Sequence, residues 1–128
     1  MDIHFTVAEL PDLAAYQTLV AAAWGEPGPD NLGRLDHSLL FICAYDAARL
    51  VGFVNVAWDG GVHAFRLDPT VHPEYQRRGL GRELVRRAAA EAQAAGMHWL
   101  HVDFEAHLRG FYRACGFRAT EAGLMRLA

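Results

Sequence analysis

A chain of 128 residues, 52% hydrophobic and 21% charged, is long enough for one domain with a real core and has a globular rather than a disordered composition. Its formal net charge of -3 offers nothing global to nucleic acid or an anionic membrane, so any anion site must be local. No apolar run approaches the ~18 residues of a membrane span, and MDIHFTVAEL lacks the basic and long apolar regions of a secretory signal; a soluble, cytoplasmic protein is expected.

Ile3 to Ala8 alternates in part and opens the chain as a short strand. Pro11 suits a first helical turn, and Leu13, Tyr16, Leu19, Val20 and Ala23 then recur at helical spacing as far as Trp24. Gly25 to Asn31, rich in glycine and proline, ends that helix, and Leu32 to Ser38 reads as a short second one. Leu39 to Tyr45 and Leu50 to Trp58 read as strands joined by a tight turn in which the Asp46 side chain can bond its own backbone. Asp59 to Gly61 makes a second turn into Val62 to His72, completing an antiparallel meander. Pro69 interrupts the third strand. It cannot donate a ladder hydrogen bond, so pairing there must be free or bulged.

Leu80 to Ala95 is the most regular helix, with Leu84, Val85, Ala88 and Ala92 on one face and Glu83 and Arg87 in the favourable i,i+4 order. Gly96 stops it. His98 to Phe104 reads as a strand, Leu108 to Cys115 as a helix closed by Gly116, and FRATEAGLMRLA as a terminal hairpin or paired strands. Cys43 and Cys115 lie in apolar surroundings and read as reduced, largely buried thiols. The seven histidines include no HExxH and accompany no CxxC, so no metal is expected. The whole of 1–128 reads as one mixed α/β sheet with helices against it.

At the turn YQRRGLGRE, Tyr75 to Glu83, a strand gives way to a helix whose first N–H groups have no internal partners. With the macrodipole these amides form an anion site. Gly79 and Gly81 remove the Cβ atoms that would keep a pyrophosphate away. Arg77, Arg78 and Arg82 are unfavourable to the dipole unless an anion sits there, and arginine meets phosphate through a rigid fork of donors. Three solvated arginines and two turn glycines would produce the same string. Neither GxxxxGK[ST] nor the Rossmann GxGxxG is present, which disfavours a nucleotide-hydrolysing enzyme.

QRRGLG, Gln76 to Gly81, resembles the Q/R-x-x-G-x-G/A acyl-coenzyme A signature of the GCN5-related N-acetyltransferases, the GNAT family. Val71, His72 and Pro73 precede it as in many members, and FYRACGF, Phe111 to Phe117, is similar to the family's F-Y-x-x-x-G-F segment. The resemblance implies the acyl-coenzyme A N-acyltransferase fold, a mostly antiparallel sheet splayed at its centre, with acetyl-coenzyme A (acetyl-CoA) as co-substrate. It implies that Thr70, Val71 and His72 line the pantetheine arm. Gln76, Arg77, Arg78, Gly79, Leu80, Gly81 and Arg82 then hold the pyrophosphate.

Acyl transfer to an amine needs a neutral nucleophile and a stabilised leaving thiolate. Tyr112 matches the family's general acid, beside the sulfur; its other reading is an aromatic packed on Phe111 and Leu108. Asp68, next to Pro69, and Glu105, standing where many members carry an asparagine, are the candidate bases; His101 and Asp103 share a strand face and either can serve or hold the amine. Solvated carboxylates and proton loss through water are the alternatives. The acceptor expected is a small-molecule or peptide amine. A homodimer is also expected, because Leu124, Met125 and Leu127 are too apolar for a free tail. Two other readings compete: a non-catalytic acyl-coenzyme A-binding or regulatory module, and nucleic-acid binding through Arg77, Arg78, Arg82, Arg86 and Arg87, against which the net charge stands.

Overall fold

LVGFVNVAW is apolar at nearly every position because it forms the middle strand of the sheet and is covered on both faces, where strands read as continuous runs. The computed structural model, which describes residues 2–128, has strands β1 (Ile3–Val7), β2 (Ser38–Asp46), β3 (Arg49–Trp58), β4 (His63–Val71) and β5 (Trp99–His101), in a spatial order that follows the chain. β1 to β4 pair antiparallel in succession, and β5 lies parallel to β4. A parallel neighbour requires a crossover, and helix α2 (Leu80–Ala94) supplies it. This is the mixed, mostly antiparallel α/β sheet expected from the sequence.

Strand alternation divides the core. Leu40, Ile42 and Ala44 of β2 join Val54, Leu84 and Ala88 beneath α2. Phe41 and Cys43 point the other way, into a second cluster with Phe53 and with Tyr16 and Leu19 of α1 (Leu13–Trp24). Each large side chain buried this way stabilises the fold by about 1.5–3 kcal/mol relative to its exposed state. Burial also raises the Cys43 thiol to about 11, so it stays protonated and unreactive.

Local chemistry sets the element ends, and several differ from expectation. α1 begins at Leu13 and leaves Pro11 outside, because Asp12 caps it by accepting the Ala15 N–H at 3.0 Å. The segment expected as a second helix is a 3-10 turn, Gly33–His37. Asp46 does not close its own turn; its carboxylate accepts a hydrogen bond from the Tyr75 hydroxyl. Asp59 performs the turn role instead, accepting the Gly61 N–H at 2.7 Å.

β5 is shorter than the His98 to Phe104 strand expected, and a 3-10 turn, Ala106–Leu108, precedes α3 (Arg109–Ala114). The expected terminal hairpin is absent: residues 117–128 form neither helix nor strand. A three-residue β5 presents too little ladder for a further strand to dock on. Leu124, Met125 and Leu127 are consequently 86%, 83% and 89% exposed.

Candidate functional site

Pro69 produces a bulge. The β3–β4 register steps from Phe53–Thr70 to Asn55–Leu67, so β4 carries one more residue than its partner, and Asp68 absorbs the distortion with φ 54. On its other side β4 pairs with β5 only at His63, Ala64 and Phe65, the last opposite His101. Beyond that point β4 continues to Val71 without β5. The sheet parts there.

The amino end of α2 lies against the parted stretch. A Cβ built on Gly81 would sit 3.8 Å from Val71 Cγ2 and 3.8 Å from the Phe111 ring, so the end of β4, the start of α2 and α3 converge on this glycine. Those are ordinary contacts; the fold has room for a methyl group at Gly81. Gly79 differs, because its φ of 81 is one that side-chain-bearing residues adopt only with strain. Arg77 shares that strained region at φ 61. The first helical bond runs from Glu83 N–H to Gly79 C=O at 3.0 Å, so the amides of the first turn lie ahead of the helical ladder.

The neighbouring side chains are tied down. Gln76 Nε2 donates to Val71 C=O at 3.2 Å and the His72 N–H donates to Val51 C=O at 2.9 Å. His72 Nδ1 accepts the Glu74 N–H at 3.1 Å. Arg78 lies 5.7 Å from the Tyr75 ring. Leu80 is buried in the core, and Thr70 is buried with its hydroxyl receiving the Trp24 indole N–H at 3.2 Å. Residues 70–72 and 76–82 thus gather at one edge of the sheet. The unpaired amides at such a helix start can meet an anion.

Tyr112 is 4% exposed. Phe104 stacks on it at 4.6 Å, Phe111 and Phe117 meet it edge-on at 5.0 and 5.8 Å, and the Arg66 guanidinium lies 4.9 Å from its ring centroid. Burial raises the phenol above its ordinary value, and the Arg66 charge opposes that rise. Cys115, at the end of α3, is raised by burial too, while Arg82 and Arg66 oppose the shift. Arg66 belongs to this constellation although the sequence reading passed over it. Strand parity was the available signal: in HAFRLDP, Arg66 shares a face with Ala64, which is fully buried.

The candidate bases are placed differently. Asp68, at the bulge, receives Arg34 Nη1 at 2.6 Å, and Arg34 Nη2 donates to the Tyr16 hydroxyl at 2.5 Å. Glu105 extends into solvent and pairs with His107 at 3.4 Å. Asp103 acts electrostatically on Arg66 and Tyr112. His101 meets His63 at 2.8 Å between ring nitrogens and stacks on Phe65 at 4.7 Å. That histidine pair arises from the parallel β4–β5 register, which sequence spacing does not reveal. Among the described residues, no three His, Cys, Asp or Glu side chains are grouped to hold a metal.

Residues 36–119 match the family model described as an acetyltransferase (GNAT) domain. The chain belongs to the GNAT family. Among curated GNAT relatives, the GCN5-related N-acetyltransferase 1, chloroplastic, of Arabidopsis thaliana is 31% identical over 110 residues, covering 82% of this chain and 56% of that protein. The chain spans between 36% and 56% of the length of the curated relatives it matches. A GNAT-family acetyltransferase structure from Streptococcus pneumoniae is 27% identical, with TM-score 0.76 and coverage of 99% of this chain and 100% of that one. A Trypanosoma brucei acetyltransferase structure has the same fold at TM-score 0.82 and 23% identity, covering 99% of both chains.

Proposed function

We propose that residues 1–128 act as one N-acetyltransferase unit, moving an acetyl group from acetyl-CoA to an amine by direct attack within a ternary complex. The observation that carries this reading is the parting of β4 from β5 after Phe65 and His101, with the start of α2 at the same edge. The side of β4 turned away from β3, which has no strand partner beyond Phe65, is suited at 70–72 to the amides of the pantetheine arm. The amides and arginines of 77–82 are suited to the pyrophosphate. Acetyl-CoA supplies the activated acyl group; the rest of the chemistry falls to side chains of this chain. Tyr112, kept protonated by its burial, donates to the departing thiolate, and Asp68, beside the bulge, takes up the proton of the amine directly or through water.

Calorimetry tests the reading. Acetyl-CoA is expected to bind one site per chain, and an isotherm without detectable heat or saturation contradicts it. Thiol release across small amines, polyamines, aminoglycosides and peptides then identifies the acceptor. A second reading, a binding or regulatory module without turnover, draws on one observation: Asp68 is engaged by Arg34 and Glu105 faces solvent, so neither carboxylate stands free. It predicts acetyl-CoA binding with no acceptor in the panel releasing thiol. We also propose that two chains associate through the exposed apolar end containing Leu124, Met125 and Leu127. Sedimentation is expected to show twice the chain mass, and a single species near 14.2 kDa excludes it.

A further inference from the structure

A guanidinium leaves water only at a large penalty unless a partner replaces its hydration. Arg66 is 4% exposed, and among the described residues its Nε and Nη1 have no hydrogen-bond partner. An apolar residue of similar length would fill the same space on the α2 face of β4 without that penalty. The surroundings therefore show what the charge is for. The guanidinium faces the Tyr112 ring at 4.9 Å. Asp103, in the segment after β5, is the acidic group acting on it. Tyr112 itself is faced by Arg66 from β4, Asp103 from beyond β5, and Cys115 from the end of α3, and Arg82 of α2 acts on Cys115 in turn.

We propose that Arg66 is a positioning residue for acetyl transfer: its buried guanidinium fixes the Tyr112 ring and stabilises the phenolate left when that proton goes to the leaving sulfur. The proposal rests on the reading of Tyr112 as the acid. In the step, the acceptor nitrogen forms its bond to the thioester carbonyl carbon. As the C–S bond breaks, sulfur leaves with the electron pair and takes the Tyr112 proton. The surplus proton of the amine passes to Asp68, directly or through water, and water reprotonates the phenolate. A fixed cation 4.9 Å from the ring centroid stabilises a charge that exists only late in this sequence, which is where electrostatic preorganisation accelerates a reaction. Cation–π attraction holds the neutral ring in place beforehand.

The test uses the full chain with Arg66→Met, Arg66→Lys and Arg66→Gln. Fluorotyrosine is incorporated throughout, and the Tyr112 fluorine resonance is assigned by its loss in Tyr112→Phe. Arg66→Met is expected to raise the Tyr112 titration midpoint and lower kcat about tenfold, with KM for acetyl-CoA unchanged; Arg66→Lys restores most of both. An unmoved midpoint with unmoved kcat refutes the proposal, as does a loss confined to KM. Should Arg66→Met fail to fold, the charge is read from the other pair: Lys is expected to exceed Gln in kcat by about tenfold, and equality refutes it. Failure of the acid assignment looks different. Tyr112→Phe would then turn over like the parent chain, while Arg66→Met still moved the titration and left kcat alone.

Discussion

Arg86 and Arg87 on α2 are the same side chain as Arg66 on β4 in opposite circumstances. The helical pair converges on Glu83, at 2.6 Å from Arg86 and 2.8 Å from Arg87, and Arg87 also lies 3.8 Å over the Phe5 ring. Their charges are met one helical turn away, at the protein surface. Hydrogen bonding by Arg86 and then Arg87 pulls the Glu83 carboxyl down to about 2. Arg66 has left water with two of its nitrogens unmatched and an aromatic alcohol as its neighbour. A charge with its partner already in place serves the fold; one held dry without a full complement serves something that appears later, here a transient anion. The same contrast bears on nucleic acid, since two of the arginines a phosphate backbone would need are already engaged by Glu83.

The contrast breaks most visibly at Tyr112. Tyr112→Phe keeps the ring and its packing and removes only the acidic proton, so kcat is expected to fall about 100-fold while the acetyl-CoA dissociation constant stays within about twofold. Unchanged thiol release would remove Tyr112 from the chemistry and leave Arg66 without a purpose.

The two glycines of the turn sharpen the comparison at smaller magnitude. Gly81→Leu is expected to weaken acetyl-CoA binding about tenfold, as anion stabilisation at a partly buried helix start reaches ~2 kcal/mol. Gly79→Ala instead strains a backbone at φ 81 and is expected to lower stability by about 1–2 kcal/mol. Calorimetry and thermal melts separate the two losses. Equal effects of both variants on stability would show that Gly81, too, serves the fold.

Glu83 provides the gentlest test. Its carboxyl is lowered in the folded chain from its ordinary value of 4.5 to about 2, so its contribution is fully present above the unfolded value and is lost as pH falls through the folded one. The melting temperature of the parent chain should therefore drop more steeply between those two values than that of Glu83→Gln. Being near the surface, the effect is small and should shrink with added salt. Parallel curves for the two chains would mean that the helical arginines are not held as described.

Sequence patterns of short range were legible. The apolar runs Leu39 to Tyr45 and Leu50 to Trp58 read as strands and are strands, and Pro69 announced the broken pairing because a missing N–H is a local property. What depended on distant partners was not legible. Asp46 and Asp59 sit in similar turns, yet only the fold decides that Asp46 meets Tyr75 while Asp59 bonds its own turn. His63 meets His101 through a parallel register set by the α2 crossover. Arg34 reaching Asp68 spans 34 positions, and no spacing rule would pair them. The apolar terminal segment misled, since its composition suits a strand but β5 is too short to receive one.

If the parted edge of β4 and the start of α2 form one binding surface, amide-resolved NMR will see it directly. On titration with acetyl-CoA, the largest shifts are expected together at the backbone amides of residues 70–72 and 77–82, with saturation at one ligand per chain. Shifts confined to other parts of the sheet, or none at stoichiometric ligand, would contradict it.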